Sequence, residues 1–504
     1  MASRSRAFIS NTLATALYQI TLIASGLIIP RFIIAQYGSE SNGLVTSLTQ
    51  FVSTFTLVEA GISAAAVFAL YKPLSDRAWP AVSGVVSAAR RFYNSTGFIF
   101  VGLVLLLAAV YPFLVRGVEL AWWQIGILVF ALGASSFLDF FTLSKYRALL
   151  TADMKTWVIQ FASTLYLVLN TFVIALLSTL GAHIVVVFAV AVLPTFVRAG
   201  LLMLYCRRTY PEVDYYADAT NVTLHQRWDA LFLQLQAALQ QGAPVIIATL
   251  VLDDLTAVSV FSIYMLVYMG CQRLANIVGT GLQAVFGDVM VKGESQTLKR
   301  SYREYELIVH GLTAVICGVA FAQIIPFMHL YTRGITTDSY VYPVLGALVT
   351  MNIFFYQVKT PQGLMVISAG HFKQTRWRTA IQSVILVVAS IVLGLFFGFY
   401  GVIGGVILSN LYRTVDLFYY VSRKITYVPI RTSALRSLLT AAQAAFIVIP
   451  FSLIGGSHES WGYWILSSTA GAAWGVVAVL LTNLVVFRRD TLGLVRRVKV
   501  MVRR

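Results

Sequence analysis

Charge is what this sequence has least of. Only 11% of its 504 residues are Asp, Glu, Lys or Arg, against 58% hydrophobic, and the mean hydropathy is +0.79. Soluble domains carry about a quarter charged residues, so the composition excludes that class and implies a polytopic membrane protein. Cysteine is nearly absent as well. Cys206, Cys271 and Cys317 form no CxxC pair and no disulfide framework, which leaves them as packing residues. The six histidines lie far apart without metal-ligand spacing, so zinc chemistry and histidine-centred catalysis have no foundation. No G-x-x-x-x-G-K-[ST] run occurs, so the chain does not hydrolyse ATP itself, and no cofactor is implied. No loop expected outside exceeds about fifteen residues, leaving no room for an extracytoplasmic catalytic domain. The reading is of a protein that is not an enzyme.

What the sequence does have is apolar runs of spanning length. They occur near residues 10–35, 44–70, 93–115, 121–142, 157–180, 183–205, 230–252, 257–285, 306–328, 341–367, 379–399, 401–421, 434–454 and 462–486. The expected fold is therefore an all-α integral membrane protein of about 14 transmembrane helices. Only tight turns at Gly181 and Gly401 separate some neighbours, so 12 or 13 helices result if one is misread. The first run follows Arg4 and Arg6 and is longer than a signal-peptide core, so it is read as a retained helix.

Loop charge tests the count independently, because lysine and arginine concentrate on the cytoplasmic side. With the N-terminus inside, thirty of the 37 basic residues fall in inner loops and the tail, against Arg116 and Arg333 outside. That pattern expects both termini in the cytoplasm. The net charge of +17 then reflects loops facing anionic membrane lipids, with no nucleic acid involved. The longest inner loop divides the chain into a six-helix lobe at 1–206, an inter-lobe loop at 207–228 and a second six-helix lobe at 229–424. Two more transmembrane helices at 425–487 and a basic tail at 488–504, read as an amphipathic surface segment, complete it. LIIPRFIIAQYGSESNGLVTSLTQF and PVIIATLVLDDLTAVSVFSIYMLV have similar layouts in the two halves, so the lobes are expected to be related by a pseudo-two-fold.

Five basic residues remain inside apolar runs: Arg31, Arg198, Arg273, Lys359 and Arg413. Two acids stand out there, Glu59 and Asp416. Exposing an arginine to lipid costs at least about 2.5 kcal/mol, so such groups face protein or a water-filled path. Arg273 is the most telling, in the run Val258 to Val285, with Asp254 and Asp288 the nearest charges in sequence. Read as one helix at about 1.5 Å per residue, it holds no local partner for Arg273. The alternative is that the overlong segment overhangs the bilayer and the side chain snorkels. Arg413 and Asp416, three apart, are read either as site residues or as a local ion pair. Lys359 sits in YQVKTPQG, a run that breaks or kinks its helix. Gln234 and Gln241 share one helix face, as glue between helices or as hydrogen-bonding groups for a sugar. Glu59 and Asp416 are the candidates for coupling to H+ or Na+, with pairing of Glu59 to Arg273 as the competing account.

The motifs LIIPRFIIAQYG, the turn Gly38 to Gly43, VEAGISAAAVFALYKPL and YGVIGGVILSN make the chain resemble a polysaccharide transporter. The family is the O-antigen and exopolysaccharide repeat-unit flippase branch of the multidrug/oligosaccharidyl-lipid/polysaccharide flippase superfamily. The resemblance implies two six-helix lobes around a cationic cavity. It also implies alternating-access transfer of an undecaprenyl-pyrophosphate-linked oligosaccharide across the bacterial inner membrane, driven by an ion gradient or the potential. Polysaccharide polymerase and assembly proteins are the implied partners. Related lipid II flippases use arginines in the first, second and eighth helices; Arg31 and Arg273 match the first and eighth, but the second offers Glu59. Two competing readings are a cation-coupled multidrug exporter of the same fold, which would favour acids in its cavity, and a membrane-embedded polysaccharide polymerase or acyltransferase.

Overall fold

The computed structural model describes residues 2–56, 62–115, 120–217, 227–276, 279, 282–336, 338–453 and 460–494. Every regular element among them is helical. Ten helices are long and apolar enough to cross a membrane, and the chain is a multi-pass membrane protein. Helices satisfy their own backbone groups, which hydrocarbon cannot do for them.

Two of those ten are of double length. Helix α1 (Ala2–Phe55) and the later Phe372–Lys424 each contain one glycine with a backbone outside the helical region, Gly38 at φ 81° and Gly398 at φ 59°. Only glycine enters such conformations cheaply, so each helix is a hairpin of two spans. The second hairpin was expected to turn at Gly401; it turns three residues earlier, and Gly401 instead packs between the arms. A Cβ at Gly401 would lie 1.9 Å from the Leu393 carbonyl oxygen, and one at Gly405 would lie 2.2 Å from the Ser390 nitrogen.

Several other spans are interrupted. After α2 (Ile62–Ser75) and α3 (Trp79–Leu114), the fourth span joins α4 (Trp122–Leu138) to α5 (Ser144–Ala152) through a π-helical turn, Asp139–Leu143. Then come α6 (Thr156–Thr179), α7 (Ile184–Val190) with α8 (Leu193–Thr209), and α9 (Arg227–Leu252). The eighth span is α10 (Leu255–Asn276) and α11 (Leu282–Val291), followed by α12 (Ser295–Thr332). The tenth is α13 (Pro343–Val358) and α14 (Thr360–Ser368); α15 (Phe372–Lys424), α16 (Ile430–Leu453) and α17 (Trp461–Val486) follow. Counted this way, the described helices make fourteen spans.

The break between α10 and α11 corrects one expectation. The Val258–Val285 run is not one continuous rod, because helix ends at Asn276 and Gly279 sits in a turn whose N–H donates to the Asn276 carbonyl. Arg273 therefore lies in the last turn of α10, so distances along an unbroken helix do not describe its surroundings.

The chain divides into two compact units, Met1–Ser259 and Val260–Arg504. This division falls inside α10. Its cause is local: the Gly38 hairpin binds α9 and the first turns of α10. Asn42 Nδ2 donates to Ser259 Oγ at 2.7 Å, and both Thr249 and Tyr111 donate to Ser47 Oγ at 2.8 Å. Gly43 makes the contact close enough, since a Cβ there would lie 1.9 Å from the Leu255 carbonyl oxygen.

The first part of the 207–228 loop is pinned. Ser83 and Ser87 bond Asp214 and Ala217, and the Tyr210 hydroxyl donates to Asp153 Oδ2 at 2.5 Å. Burial first, and then that hydrogen bond, pushes the Tyr210 phenol above its ordinary range. Lys145 and Arg436, both read as loop charges, are buried in the structure, at 8% and 1% exposure. Lys145 lies over the rings of Tyr146 and Tyr216 at 5.1 and 5.4 Å. Helices here run past their apolar windows, so a basic residue beyond a window, as Lys145 is, or at its very start, as Arg436 is, can still be inside the fold.

Candidate functional site

Proline sets up the first polar cluster, in the second unit. Pro361 has no N–H and its ring crowds the preceding turn, so α13 ends at Val358 and α14 starts at Thr360. Lys359 occupies the joint, buried, with its ammonium donating to Asn410 Oδ1 at 2.5 Å and lying 5.1 Å from the centre of the Tyr356 ring. Asn410 Nδ2 donates in turn to Asn352 Oδ1 at 2.7 Å. Tyr268 on α10 meets the Tyr356 ring edge-on with centroids 6.1 Å apart, so α10 packs against this junction of α13 and α15. Two buried donors, Asn352 Nδ2 and Gln357 Nε2, find no acceptor among the described residues.

The network continues three residues further along α15. Arg413 donates from Nη1 to Asp416 Oδ2 at 2.7 Å, and Arg378 from the other arm of α15 holds Oδ1. Asp416 is thus clamped by two guanidiniums. The local ion pair between Arg413 and Asp416 is present, and Arg378, read as a loop charge, joins it. With Lys359, three cations stand against one carboxylate, so the cluster keeps a positive excess that suits an anion better than a cation.

A second ion pair lies in the first unit. Arg198 on α8 bonds Asp139 and stacks over the Tyr166 ring at 4.6 Å. Asp139 opens the π-helical turn, where the wider backbone spacing interrupts the i to i−4 ladder. Arg198, one of the five basic residues inside apolar runs and so a candidate substrate contact, is paired with Asp139 here. Asp139 went unnoticed in the sequence although it stands inside the 121–142 apolar run, which was signal enough.

The most enclosed charges were missed entirely. Glu306 on α12 and Arg436 on α16 have side chains 0% and 1% exposed, with Arg436 Nη1 2.6 Å from Glu306 Oε2. Tyr302, Gln362 and Ser433 all donate to Glu306 Oε1, at 2.9, 2.8 and 2.5 Å. Arg436 Nη2 reaches Asp490 Oδ2 at 2.5 Å, and Arg303 also lies 3.2 Å from that oxygen. Asp490 belongs to the basic tail, so at least this part is pulled into the fold and does not lie wholly on a membrane surface.

The remaining expected site residues are scattered. Arg31 is half-buried on α1 one residue after Pro30, and Arg273 half-buried on α10. Gln241 is exposed on α9. The Gln234 side chain and Glu59 lie outside the described residues. The structure brings together Lys359, Arg413 and Asp416; Arg198 belongs to a different cluster in the other unit.

No protein-family model matches the sequence, and no curated protein matches it either. Solved structures do. Lipid II flippase MurJ in an inward closed conformation superimposes with a TM-score of 0.62 at 14% identity, over 95% of this chain and 99% of that one. The fold is that of the MurJ and MATE transporters. A multidrug resistance MATE family transporter of the MOP superfamily, inward-facing, gives 0.58 at 14% identity over 84% of this chain and 96% of that one. A MOP superfamily transporter from Pyrococcus furiosus, described as having a binding pocket of reverse polarity, gives 0.56 at 14% identity over 85% and 96%. At these identities the likeness establishes the MurJ/MATE fold and leaves the cargo to be argued from the residues.

Proposed function

We propose that this protein is a flippase of the MOP superfamily that moves a lipid-linked, pyrophosphate-bearing oligosaccharide across the bacterial inner membrane by alternating access. The observation that carries the reading is the Lys359 cluster. Three cations, one clamped carboxylate and a run of amides and tyrosines lie inside membrane helices, a donor-rich set suited to a diphosphate and sugar hydroxyls. The superposition on the lipid II flippase also extends over more of the chain, 95%, than those on the MATE structures, 84–88%. The cargo favoured is an undecaprenyl-pyrophosphate-linked repeat unit, and the O-antigen and exopolysaccharide assignment follows from the sequence resemblance. Arg273 and Arg31 are assigned to the diphosphate together with Lys359, and Gln234 and Gln241 to the glycan. Glu59 and Asp416 are assigned to coupling with H+ or Na+; the double clamp on Asp416 means that it must exchange partners to take part.

The deciding experiment is glycan export in cells at matched membrane abundance. Arg273→Ala and Lys359→Ala should abolish export, and Arg273→Lys should retain part of it, because lysine keeps the charge but loses the planar fork. Normal export by both alanine variants removes the reading, and rescue by Glu59→Arg with Arg273→Glu makes Arg273 a structural partner. The MATE superpositions favour a second reading, a cation-coupled multidrug exporter. It predicts raised resistance to cationic drugs on expression and no glycan phenotype on deletion.

A further inference from the structure

The two arms of α15 enclose a trough that borders the Lys359 cluster at the Arg378–Asp416 pair and otherwise lies outside it. Its volume is about 720 Å³; Ile385, Leu408, Leu411 and Val415 form its apolar walls, and Tyr412, Tyr419 and the paired Arg378 and Asp416 complete the lining. A second hollow of about 550 Å³ shares Arg378 and Tyr419 and adds Arg423, Lys424 and Tyr427. The shared residues join the two into a single feature: an apolar trough with a basic, tyrosine-lined mouth. Leu408, Leu411, Val415 and Tyr419 repeat at helical spacing and are exposed, whereas Asn410, Arg413 and Leu417 between them are buried.

The mouth is built for an anion. Arg423 stacks its guanidinium 4.4 Å from the Tyr419 ring centre and donates to the Tyr419 hydroxyl at 2.8 Å, while Arg378 lies 5.4 Å from the Tyr420 ring centre. Arg378 is held by Asp416, so the free fork is that of Arg423, whose stacking reduces the freedom lost when it binds. Arg423 and Lys424 are exposed in the last turn of α15. Basic residues and tyrosines at the end of a spanning helix sit at headgroup depth. From Leu408 to Tyr419 the trough runs eleven residues, roughly 16 Å at about 1.5 Å per residue. That is about half of a hydrocarbon layer roughly 30 Å thick, the reach of one acyl chain. A polyprenyl carrier chain is far longer than this.

We propose that the trough binds one anionic glycerophospholipid of the leaflet at this end of α15, its phosphate on Arg423 and Lys424 and one acyl chain along Leu408, Leu411 and Val415. The claim rests on the membrane setting and not on the cargo. The test uses the full chain in phosphatidylcholine nanodiscs with a trace of phosphatidylglycerol carrying a diazirine on its acyl chain, photolysed and mapped by mass spectrometry. Labelling should concentrate between residues 378 and 427, and should be several-fold stronger than with a diazirine phosphatidylcholine. Arg423→Gln with Lys424→Gln should abolish that preference, and Leu411→Trp, which fills the trough, should reduce labelling by both probes. Equal labelling by the two probes in the unaltered protein, or a preference that survives the double glutamine change, overturns the proposal. So does displacement of the probe by polyprenyl phosphate at lower concentration than by unlabelled phosphatidylglycerol, since the trough then belongs to the carrier.

Discussion

Arg436→Met tests the buried charges most directly. The change roughly conserves volume but leaves the Glu306 carboxylate with three neutral donors, Tyr302, Gln362 and Ser433, and no cation at 2.6 Å. Removing one partner of a buried ion pair typically costs about 3–5 kcal/mol, because the survivor is an uncompensated charge in a poorly solvated place. At about 1.4 kcal/mol per factor of ten, the folded-to-unfolded ratio should fall by roughly two to three and a half powers of ten. Adding Glu306→Gln removes the stranded charge and keeps an amide oxygen that Tyr302, Gln362 or Ser433 can still reach. Asp490 retains Arg303 at 3.2 Å. The double variant should therefore recover at least about 2 kcal/mol of the loss, the share expected for relieving the charge and not the hydrogen bonds. The assay is denaturation of purified protein in mixed micelles, followed by size-exclusion profile and intrinsic fluorescence, with both single variants and the double. Unaltered stability of Arg436→Met, or a double variant no more stable than that single one, would refute the argument that the pair is held by mutual charge compensation.

Three further outcomes follow from close contacts and paired charges. Gly43→Ala places a methyl 1.9 Å from the Leu255 carbonyl oxygen and must push the hairpin off α10; disulfide formation between Asn42→Cys and Ser259→Cys, efficient otherwise, should drop sharply when Gly43→Ala is added. Gly405→Val should sharply lower the yield of folded protein, since even a Cβ there meets the Ser390 nitrogen at 2.2 Å, whereas Gly363→Ala, where no atom lies within 4 Å, should be tolerated. Arg198→Gln should destabilise by leaving Asp139 charged beside the π-helical turn, and Arg198→Gln with Asp139→Asn should be the more stable of the two in the same denaturation assay.

How much of this was legible in the sequence depends on what kind of signal each feature leaves. Span number and apolar character were readable because hydrocarbon imposes them residue by residue. The joint at Lys359 was readable because proline acts on its own turn, and the pair of Arg413 with Asp416 because three residues on a helix is a contact distance. Long-range pairing leaves no such local mark. Glu306 and Arg436 are 130 positions apart, each at the start of an apolar run; Arg436 was counted with the inner loops and Glu306 drew no reading, until the fold set them 2.6 Å apart. Arg378 and Asp416 met for the same reason, across a hairpin whose turn was placed three residues late.

These errors share a cause and point one way. Positive residues flanking apolar runs were assigned to loops by their sequence neighbours, yet helices such as α12, α15 and α16 extend past those runs and pack against one another there. Arg378 and Arg436 are consequently ion-paired within the fold, and Arg303 also reaches a carboxylate, although it stays partly exposed. The cations that remain candidates for a phosphate are those whose neighbourhood keeps a positive excess, and by that criterion Lys359 outranks Arg198. Its ammonium is held by an amide, Asn410, and lies against a ring, Tyr356, so a diphosphate arriving there displaces no carboxylate from it. Arg198 would have to abandon Asp139, leaving a buried carboxylate behind. A site that must release its ligand on the far side gains from contacts that exchange amide for phosphate rather than charge for charge, because the empty state is then not trapped in a tight ion pair.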